Sequence, residues 1–410
     1  MIPGKPKALK RNNRKAILHF LRNSDQMSAS DISKQIGLSR TTVMKIVEYF
    51  LDKGLMMQSG KGVSTEEGGK KPILFSFKAD SGFAISVHIF PDELYGIITD
   101  LKVNILYDLT VPLQPNEECG ICIDKVSDVC RMLLEKAGVA PSRLIGIAIG
   151  SHGVTNSSKG IILTSPHFPS WGNDIPIKDF LLQKLAFKVP VLVDNQIRFQ
   201  AFAEKTKGIA QEKSDIVVIE GGIGLVAGIV VKNEIKRGIH CLAGEIGHMI
   251  INADSDEQCV CGGKGCFEVM VSARRILRLA REGRKEYPDS LVFTEASGRK
   301  LTPQQVFDAA IEGDPLARKL MDDVIHWFSI GISNIILMYD PEMIIIHGLY
   351  SAAGDDFLKT LRERVHSVSL VKIRKNVEIE FGQFDKERGA VGGAAFVIAD
   401  YFNKKHLYGK

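Results

Sequence analysis

The chain has 410 residues and a formal net charge of +5, with 45% hydrophobic and 25% charged residues. This length exceeds one ordinary hydrophobic core and predicts two or three domains of a globular protein. There is no apolar run of about 18–20 residues, and residues 1–13 are basic and polar, unlike a membrane helix or a secretory signal. We therefore expect a cytoplasmic protein.

The positive charge is concentrated at the N-terminal end. Residues 1–80 carry 15 Lys and Arg against 7 Asp and Glu, whereas the remaining residues carry 38 against 41. A basic segment attached to a slightly acidic body indicates a polyanion partner for the N-terminal part alone. A solubilising arm is the alternative interpretation of the same charge.

The N-terminal segment shows the periodicity of three helices followed by two strands. Apolar side chains at helical spacing predict helices over 11–22, 29–35 and 40–51, with Gly37 in the turn before the third. Strand-like runs at 55–58 and 73–77 flank a polar wing at 59–71. This is the pattern of a winged helix-turn-helix. A three-helix protein–protein module has a similar pattern, but the basic charge favours DNA.

Beyond residue 82 the periodicity alternates between strands and helices. Two successive blocks of this kind, at about 82–195 and 214–400, predict a duplicated α/β fold with a ligand cleft between lobes. We therefore expect a DNA-binding domain over 1–80 and a ligand-binding domain over 81–410, with lobes at about 81–195 and 196–410.

A dense cysteine cluster predicts a metal site. Cys259, Cys261 and Cys266 lie within eight positions, among three glycines that let the backbone turn tightly, and His248 precedes them. Three thiolates and one imidazole form a standard tetrahedral zinc set, and four protein ligands leave no open position for a reactive water. The prediction is a structural zinc, with a loop of unligated cysteines as the alternative.

The remaining cysteines carry no comparable pattern. Cys119 and Cys122 are formally spaced as Cys-x-x-Cys, but no ligand partner lies near them in sequence, and Cys130 and Cys241 are isolated. The odd total of 7 cysteines argues against a disulfide framework. We interpret these four as packing or surface residues.

The segment 243–268 resembles the ROK family of repressors, open reading frames and sugar kinases. It contains Glu245-Ile-Gly-His248 and Cys259-Val-Cys-Gly-Gly-Lys-Gly-Cys266-Phe-Glu268, which match the family's Glu-x-Gly-His and Cys-x-Cys-Gly-x-x-Gly-Cys-x-Glu signatures. The likeness extends over nearly the whole chain, including the winged helix of the repressor branch. It implies an actin/hexokinase-like (ribonuclease H-like) two-lobed α/β fold behind the DNA-binding domain.

The resemblance also implies the residues of a sugar site. Glu245, His248 and Glu268 would bind sugar hydroxyls, with His248 holding zinc through its other ring nitrogen. Asn195 matches the Asn of the family's catalytic Asn-Asp pair, and His167 stands where the family often has an Asn. The alternative for Glu245 and Glu268 is that they brace the zinc loop.

The motifs that the kinase members need are altered here. The first phosphate loop corresponds to 88–93, which contains no glycine, and the second, 222–228, lacks the threonine and two of the glycines. The adenosine-side glycines appear as His347-Gly348-Leu349, and the general-base position is Gln196, whose amide cannot accept a proton. A one-residue shift in alignment would place Asp194 there instead. We expect a regulator without kinase activity.

The third helix and the wing supply the predicted DNA contacts. Polar and basic side chains at the start of the helix would reach base edges and phosphates in the major groove, namely Ser39, Arg40, Thr41, Thr42 and Lys45. Gly69, Lys70 and Lys71 resemble the family's wing and would enter a minor groove or contact phosphates. The expected partners are palindromic operator DNA, a sugar or sugar-phosphate effector, and a second copy or a tetramer of the chain.

Two other classes of function fit parts of the pattern. One is an ATP-dependent sugar kinase with an attached DNA-binding domain. The other is a zinc-containing DNA-binding protein whose body binds no ligand. A coupled ATP assay with a panel of hexoses separates the kinase from a regulator. The protein with an unliganded body predicts no sugar-dependent thermal shift.

Overall fold

The computed structural model describes residues 6–62, 71–222, 224–294, 300–367, 377–383 and 387–408. The chain forms two compact units. Unit 1 comprises Met1–Gly150, His167–Val193 and Ala394–Lys410, and unit 2 comprises Ser151–Pro166 and Asp194–Gly393.

The N-terminal part of unit 1 contains three helices and a small antiparallel sheet. In chain order the elements are α1 (Pro6–Arg22), β1 (Met27–Ser28), α2 (Ala29–Ile36), α3 (Arg40–Asp52), β2 (Met56–Lys61) and β3 (Ile73–Phe77). The sheet has the order β1-β3-β2. Ser28 and Asp31 form a capping box that starts α2, and Gly37 ends that helix in the left-handed region at φ 72°. These local signals fix the turn before α3.

The next region supplies the large sheet of unit 1. Its elements are β4 (Phe83–Ile89), β5 (Glu93–Asp100), β6 (Ile105–Pro112), α4 (Cys119–Ala137), β7 (Leu144–Ser151), β8 (Val154–Asn156), β9 (Ile161–Thr164), β10 (Asn173–Ile175), α5 (Ile177–Lys184) and β11 (Val191–Asn195). The five-stranded sheet has the order β11-β7-β4-β5-β6. Helix α4 lies close on this sheet, because a Cβ added at Gly96 of β5 would be 2.5 Å from a methyl carbon of Val129.

Unit 2 is built around a second five-stranded sheet. Its elements are α6 (Gln196–Thr206), β12 (Ile216–Gly221), β13 (Leu225–Val231), β14 (Glu234–Lys236), α7 (Phe267–Met270), α8 (Ala273–Gly283), α9 (Pro303–Ile311), α10 (Pro315–Tyr339), β15 (Met343–Gly348), α11 (Asp355–Ser367), β16 (Glu378–Phe381) and α12 (Arg388–Asn403). The sheet has the order β14-β13-β12-β15-β16, with β12 and β15 parallel.

Helix α10 is the central helix of unit 2. Among the described residues it alone is long and apolar enough to cross a membrane, but 56% of its apolar window is buried within the protein. Phe328 and Ile332 on this helix are fully buried in the main core cluster, and the ring of Phe267 packs against Gly331. The apolar composition of α10 is therefore explained by core packing.

The C-terminal residues of the chain return to the N-terminal helices within unit 1. Arg14 Nη1 donates a buried hydrogen bond of 2.7 Å to the carbonyl oxygen of Tyr408, and Tyr49 donates one of 3.0 Å to the carbonyl oxygen of Leu407. The Arg14 guanidinium also lies 3.5 Å from the centre of the Tyr49 ring. The N-terminal helices therefore share their core with residues from the other end of the chain. The domain division at residue 80 stays a prediction.

Candidate functional site

The four predicted metal ligands meet in unit 2. The ligand atoms of His248, Cys259, Cys261 and Cys266 all lie within 4.8 Å of one another. Cys261 Sγ is 3.7 Å from Cys266 Sγ, and Cys259 Sγ is 3.5 Å from His248 Nδ1. In a zinc tetrahedron with bonds of about 2.3 Å to sulfur and about 2.0 Å to nitrogen, the S–S edge is about 3.8 Å and the S–N edge about 3.5 Å. These two distances in the cluster therefore match the edges of a zinc tetrahedron.

A tight turn brings the thiols together. The amide of Gly262 donates to the carbonyl oxygen of Cys259, and the amide of Cys259 donates to that of Gly263. Gly265 has φ 66°, and a Cβ at this position would lie 1.7 Å from the carbonyl oxygen of Asn252. Only glycine fits there, because both the backbone conformation and the contact exclude a side chain.

The pKa values of the clustered thiols are shifted in opposite directions. Burial raises the pKa of Cys266 to about 12. The amide of Gly263 and the neighbouring thiols lower the pKa of Cys261. Because metals bind the thiolate, a cation must displace the Cys266 proton, and metal affinity should fall as the pH is lowered.

The two predicted sugar-binding carboxylates flank this cluster. Glu268 lies on α7, which is anchored by Phe267. Oε2 of Glu268 accepts a hydrogen bond of 3.1 Å from the amide of Leu225, and Oε1 of Glu268 lies 4.0 Å from Cys259 Sγ. Burial raises the pKa of Glu245, although His248 and Arg198 partly oppose the increase. Glu268 therefore contacts both β13 and the cysteine loop, and these contacts leave sugar binding possible because each carboxylate oxygen accepts more than one hydrogen bond. Both predicted roles of Glu268, sugar ligand and brace of the loop, stay predictions.

Asn195 is buried and already holds the backbone in place. Its Oδ1 caps α6 by accepting from the amide of Ile197, and its Nδ2 donates to the carbonyl oxygen of Gly153 at 2.7 Å. One amide hydrogen and one lone pair of this side chain are not used by these two bonds. The role of Asn195 as a sugar ligand stays a prediction, to which the structure adds a structural role.

The neighbouring Asp194 is enclosed by two arginines. It is 1% exposed, its Oδ1 accepts from Arg198 at 2.9 Å, and its Oδ2 accepts from Arg237 at 2.8 Å. Arg198 is itself buried and also donates to the carbonyl oxygens of Thr155 and Cys241. Both carboxylate oxygens are therefore committed to guanidinium groups.

Gln196 occupies the position that the resemblance assigns to the general base. It is 4% exposed, and its Nε2 lies 2.7 Å from His152 Nε2. Its Oε1 is buried without a hydrogen-bond partner among the described residues. An amide oxygen in this state can accept a hydrogen bond from a hydroxyl group without taking its proton.

His167 belongs to unit 1, whereas the other predicted sugar ligands belong to unit 2. It is half-buried, and burial lowers the pKa of its imidazole. Its participation in sugar binding stays a prediction.

Backbone amides in the first two altered phosphate loops are already bonded within the protein. The amide of Phe90 donates to the carbonyl oxygen of Glu93 at 2.9 Å, and Pro91 between them has no amide hydrogen. In the second loop the amide of Gly222 donates to the carbonyl oxygen of Gly224, and that of Leu225 donates to Glu268. These amides therefore already have acceptors within the protein. Ile223 lies outside the described residues.

Two buried histidines mark the ends of the first and third altered motifs. A Cβ added at Gly150 would lie 2.2 Å from the His88 ring, so this ring fills the space beside β7. His347 lies at the end of β15, packs against Gly382, and is 2.7 Å from the buried carboxylate of Glu204. In the motifs of the related kinases, an aspartate stands at the position of His88 and a glycine at the position of His347. A larger or differently charged ring therefore occupies each position here.

The predicted DNA-contacting residues of α3 lie on its first two turns. Val43, Ile46 and Val47 face the core, while Arg40, Thr41 and Lys45 are exposed. Ser39 is the N-cap: its Oγ accepts from the amide of Thr42 at 3.2 Å and is 2.8 Å from the Thr42 hydroxyl. Lys71 is exposed before β3, and Gly69 and Lys70 lie outside the described residues.

Several site residues were not identified from the sequence. Arg198, Arg237 and His152 carry no motif, and each reaches the site from a different segment of the chain. Arg198 follows Asp194 at the i,i+4 spacing of a helical ion pair, which was the one local signal available. Of the four remaining cysteines, burial raises the pKa of Cys122 and of Cys130 to about 12, which makes these two thiols poor nucleophiles.

Comparison with known proteins identifies relatives along the whole chain. The model of the ROK family matches residues 84–400. The chain is 29% identical over 392 residues to a xylose repressor from Caldicellulosiruptor bescii, covering 96% of each chain, and 30% identical over 288 residues to a glucokinase from Halalkalibacterium halodurans, covering 70% of this chain and 86% of that one.

The fold also matches a solved structure. The crystal structure of a ROK family transcriptional regulator, a homologue of the Escherichia coli Mlc protein, superposes with a TM-score of 0.79 at 22% identity, covering 97% of this chain and 98% of that one. The predicted α/β actin/hexokinase-like fold of the body is confirmed. The N-terminal helices and small sheet are consistent with the winged helix-turn-helix, which stays a prediction.

Proposed function

The chain belongs to the ROK family, and on that premise we propose that it is a DNA-binding transcriptional repressor of sugar-metabolism genes, controlled by a sugar or sugar phosphate. The proposal rests mainly on how much of the chain each relative matches. The repressor relative matches across both ends of the chain, whereas the glucokinase relative matches only 70% of it. The N-terminal helices, which a kinase does not need, therefore belong to the shared architecture of the repressors.

The winged helix, residues 1–80, is the DNA-binding part of this proposal. Its third helix begins with a capped turn and exposes Arg40, Thr41 and Lys45 on one side, while the opposite side is buried. A helix held this way can present its N-terminal side chains to the major groove, and Lys71 is a further exposed basic residue of the same domain. A homodimer or homotetramer would place two such helices on a palindromic operator.

The body, residues 81–410, is the effector-binding part. We infer that His248, Cys259, Cys261 and Cys266 hold a structural zinc ion, which supplies a rigid centre for the loop and no reactive water. With Nδ1 of His248 facing Cys259 Sγ, its Nε2 remains for a sugar hydroxyl. Glu245 and Glu268 would accept hydrogen bonds from further hydroxyl groups. Asn195 and His167 are the remaining sugar contacts that the resemblance implies.

Loss of kinase activity is supported by the state of the motifs. Amides in the first two loops are bonded within the protein, and Asp194 is paired with two arginines. Gln196 lies at the base position and cannot take a proton. We expect sugar binding without phosphoryl transfer, so the ligand acts by stabilising one of two conformations with different DNA affinity.

Operator binding by fluorescence anisotropy tests the proposal. DNA from upstream of the protein's own gene is titrated at fixed salt, because phosphate contacts make affinity steeply salt-dependent. Arg40→Ala combined with Lys45→Ala should weaken binding at least about ten-fold. Lys136→Ala combined with Arg131→Ala removes the same charge from the exposed face of α4 and should change affinity little. Equal affinity of the two double variants would contradict the assignment of α3.

The effector arm uses the same assay with a panel of sugars and sugar phosphates. One ligand should change the affinity, and Cys259→Ser should abolish zinc content and this response together. A response that survives the loss of zinc would break the link between the metal and the sugar. A coupled ATP assay with the same sugars tests the kinase alternative. ATP turnover without operator binding would show that the protein is a sugar kinase and would contradict the repressor proposal.

A further inference from the structure

Unit 2 contains a second pocket that the proposed effector site does not use. Its volume is about 440 Å³, within the range of small-molecule sites. We name it the Trp327 pocket after its aromatic residue. Its lining contains none of the zinc ligands and neither Glu245 nor Glu268, and consists of Asn252, Ser255, Asp256, Glu257, Met270, Arg275, Arg278 and Trp327.

The aromatic wall of the pocket is held in place. Trp327 Nε1 donates to Asp323 Oδ1 at 3.2 Å, and Arg275 forks onto the same carboxylate through both terminal nitrogens. Arg275 also donates to the carbonyl oxygen of Met270 at 3.1 Å. The indole is therefore fixed before any ligand arrives, which lowers the entropic cost of binding.

The polar wall is electrically balanced. Arg278 pairs with Glu257 and with Glu282, and Asp256 pairs with Lys264 at 2.9 Å. The lining itself contains two arginines and two carboxylates. An anionic ligand would meet the carboxylates of Asp256 and Glu257, and a cationic one would meet the two guanidinium groups, so neither charge is favoured.

A neutral, polyhydroxylated ligand fits these walls best. The apolar C–H face of a sugar ring can pack on the indole, while guanidinium, carboxylate and amide groups bond its hydroxyls as donors and acceptors. We propose that the Trp327 pocket is a second carbohydrate site, which binds a neutral mono- or disaccharide and is distinct from the zinc-side effector site.

The pocket is connected to the zinc loop through the chain itself. Asn252, Asp256 and Glu257 belong to the segment that joins His248 to Cys259. The carbonyl oxygen of Glu257 accepts from the amide of Gly265 at 3.1 Å, within the cysteine turn. A sugar held by this segment would order the loop that carries the metal ligands. The regulatory role of the Trp327 pocket rests on the proposed function, whereas the existence of the pocket as a binding site does not.

Tryptophan fluorescence reads this pocket directly. The chain has 2 tryptophans, and Trp171 lies in unit 1, with its Nε1 bonded to the carbonyl oxygen of Glu117. In the Trp171→Phe variant of the full chain, all tryptophan emission comes from Trp327. Titration with D-xylose, D-glucose and maltose should give a saturable change for at least one of them, and D-glucose 6-phosphate should give none at this site.

Three variants locate the bound sugar. Asp256→Ala removes an exposed carboxylate at the rim and should weaken the response about ten-fold, as expected for the loss of a hydrogen bond to a charged group. Glu234→Ala removes a comparable exposed, lysine-paired carboxylate elsewhere in unit 2 and should leave the response unchanged. Glu245→Gln, at the zinc-side site, should also leave it unchanged.

Three outcomes would overturn the second site. They are an emission of Trp327 that no neutral sugar changes, a response to the sugar phosphate alone, and a response abolished by Glu245→Gln but kept in Asp256→Ala. The last of these places the sugar at the zinc-side site and leaves the repressor proposal intact. Conversely, a Trp327 response that depends on Asp256 establishes the pocket as a binding site. If operator affinity is then insensitive to every sugar, that result contradicts only the proposal of a sugar-responsive repressor.

Discussion

Replacing Arg198 by Met tests whether the buried cluster around Asp194 is a structural element of unit 2. The guanidinium is 2% exposed and donates to Asp194 at 2.9 Å, to the Cys241 carbonyl oxygen at 2.7 Å and to the Thr155 carbonyl oxygen at 3.3 Å. Methionine retains much of the apolar volume, so packing changes little and the loss is mainly electrostatic.

The magnitude follows from what remains after the substitution. Breaking a buried ion pair typically costs about 3–5 kcal/mol, because one charge is left without its partner. Arg237 still pairs with Asp194 at 2.7 Å, which places the charge component near the lower end of this range. Two buried carbonyl groups also lose a donor, at about 1 kcal/mol each. Together these components predict a loss of about 5 kcal/mol in the free energy of unfolding.

Urea unfolding, followed through Trp327 fluorescence in the Trp171→Phe background, measures the effect in unit 2. Arg131→Met is the matched control for the same change of residue, since Arg131 is 59% exposed and forms only surface pairs with Asp128 and Glu135. Such pairs contribute below about 1 kcal/mol. If both variants shifted the unfolding midpoint equally, the reasoning from burial would be refuted.

Four further outcomes follow from single contacts. Ser39→Ala removes the cap of α3 and should cost about 1 kcal/mol in thermal unfolding of the N-terminal region, with operator affinity falling in parallel; an unchanged melting curve would contradict the cap. Arg14→Leu loses a buried hydrogen bond to Tyr408 and should cost about 2 kcal/mol by the same method, whereas Lys15→Leu on the exposed side of α1 should cost less. Burial tends to raise the pKa of Asp314, but hydrogen bonds from Ala317, Ser290 and Leu291 outweigh it and the pKa lies below the ordinary 3.8. The stabilisation from Asp314 is therefore present above pH 3.8 and lost as the pH falls through the lowered pKa, and in acid titrations followed by circular dichroism Asp314→Asn should show a smaller loss than the parent chain. Gln196→Asp should not restore ATP-dependent sugar phosphorylation in a coupled assay, and measurable turnover would show that the base alone was missing.

Local signals explain why the metal loop could be predicted from the sequence. Cys259, Cys261 and Cys266 are close in the chain, and the intervening glycines supply the positive φ values that the turn needs. The helices before α3 were predictable for a similar reason, because the Ser28 cap and Gly37 act within a few residues. The start of α1 was placed too late, at residue 11 instead of Pro6, where proline is favoured in the first turn of a helix.

Long-range contacts explain what the sequence did not disclose. The bond between Arg14 and Tyr408 joins residues 394 positions apart, and no periodicity within either segment encodes it. Glu268 was identified through the family motif, but its bond to the Leu225 amide depends on how α7 and β13 pack. The Trp327 pocket likewise combines residues of the segment before Cys259, α7, α8 and α10, and no motif or periodicity in the sequence connects them.

The same contacts indicate how a kinase-like frame can serve a regulator. A phosphate loop works because its amides are free to bind oxygens of the nucleotide. Here the Phe90 amide is bonded within a tight hairpin, and the Leu225 amide is bonded to Glu268, which also approaches the predicted metal ligand Cys259. The segment that the resemblance matches to the second loop is therefore tied to the cysteine cluster. A sugar that engages Glu268 would act on that loop directly, so binding energy that a kinase directs into phosphoryl transfer is available here for a change of conformation.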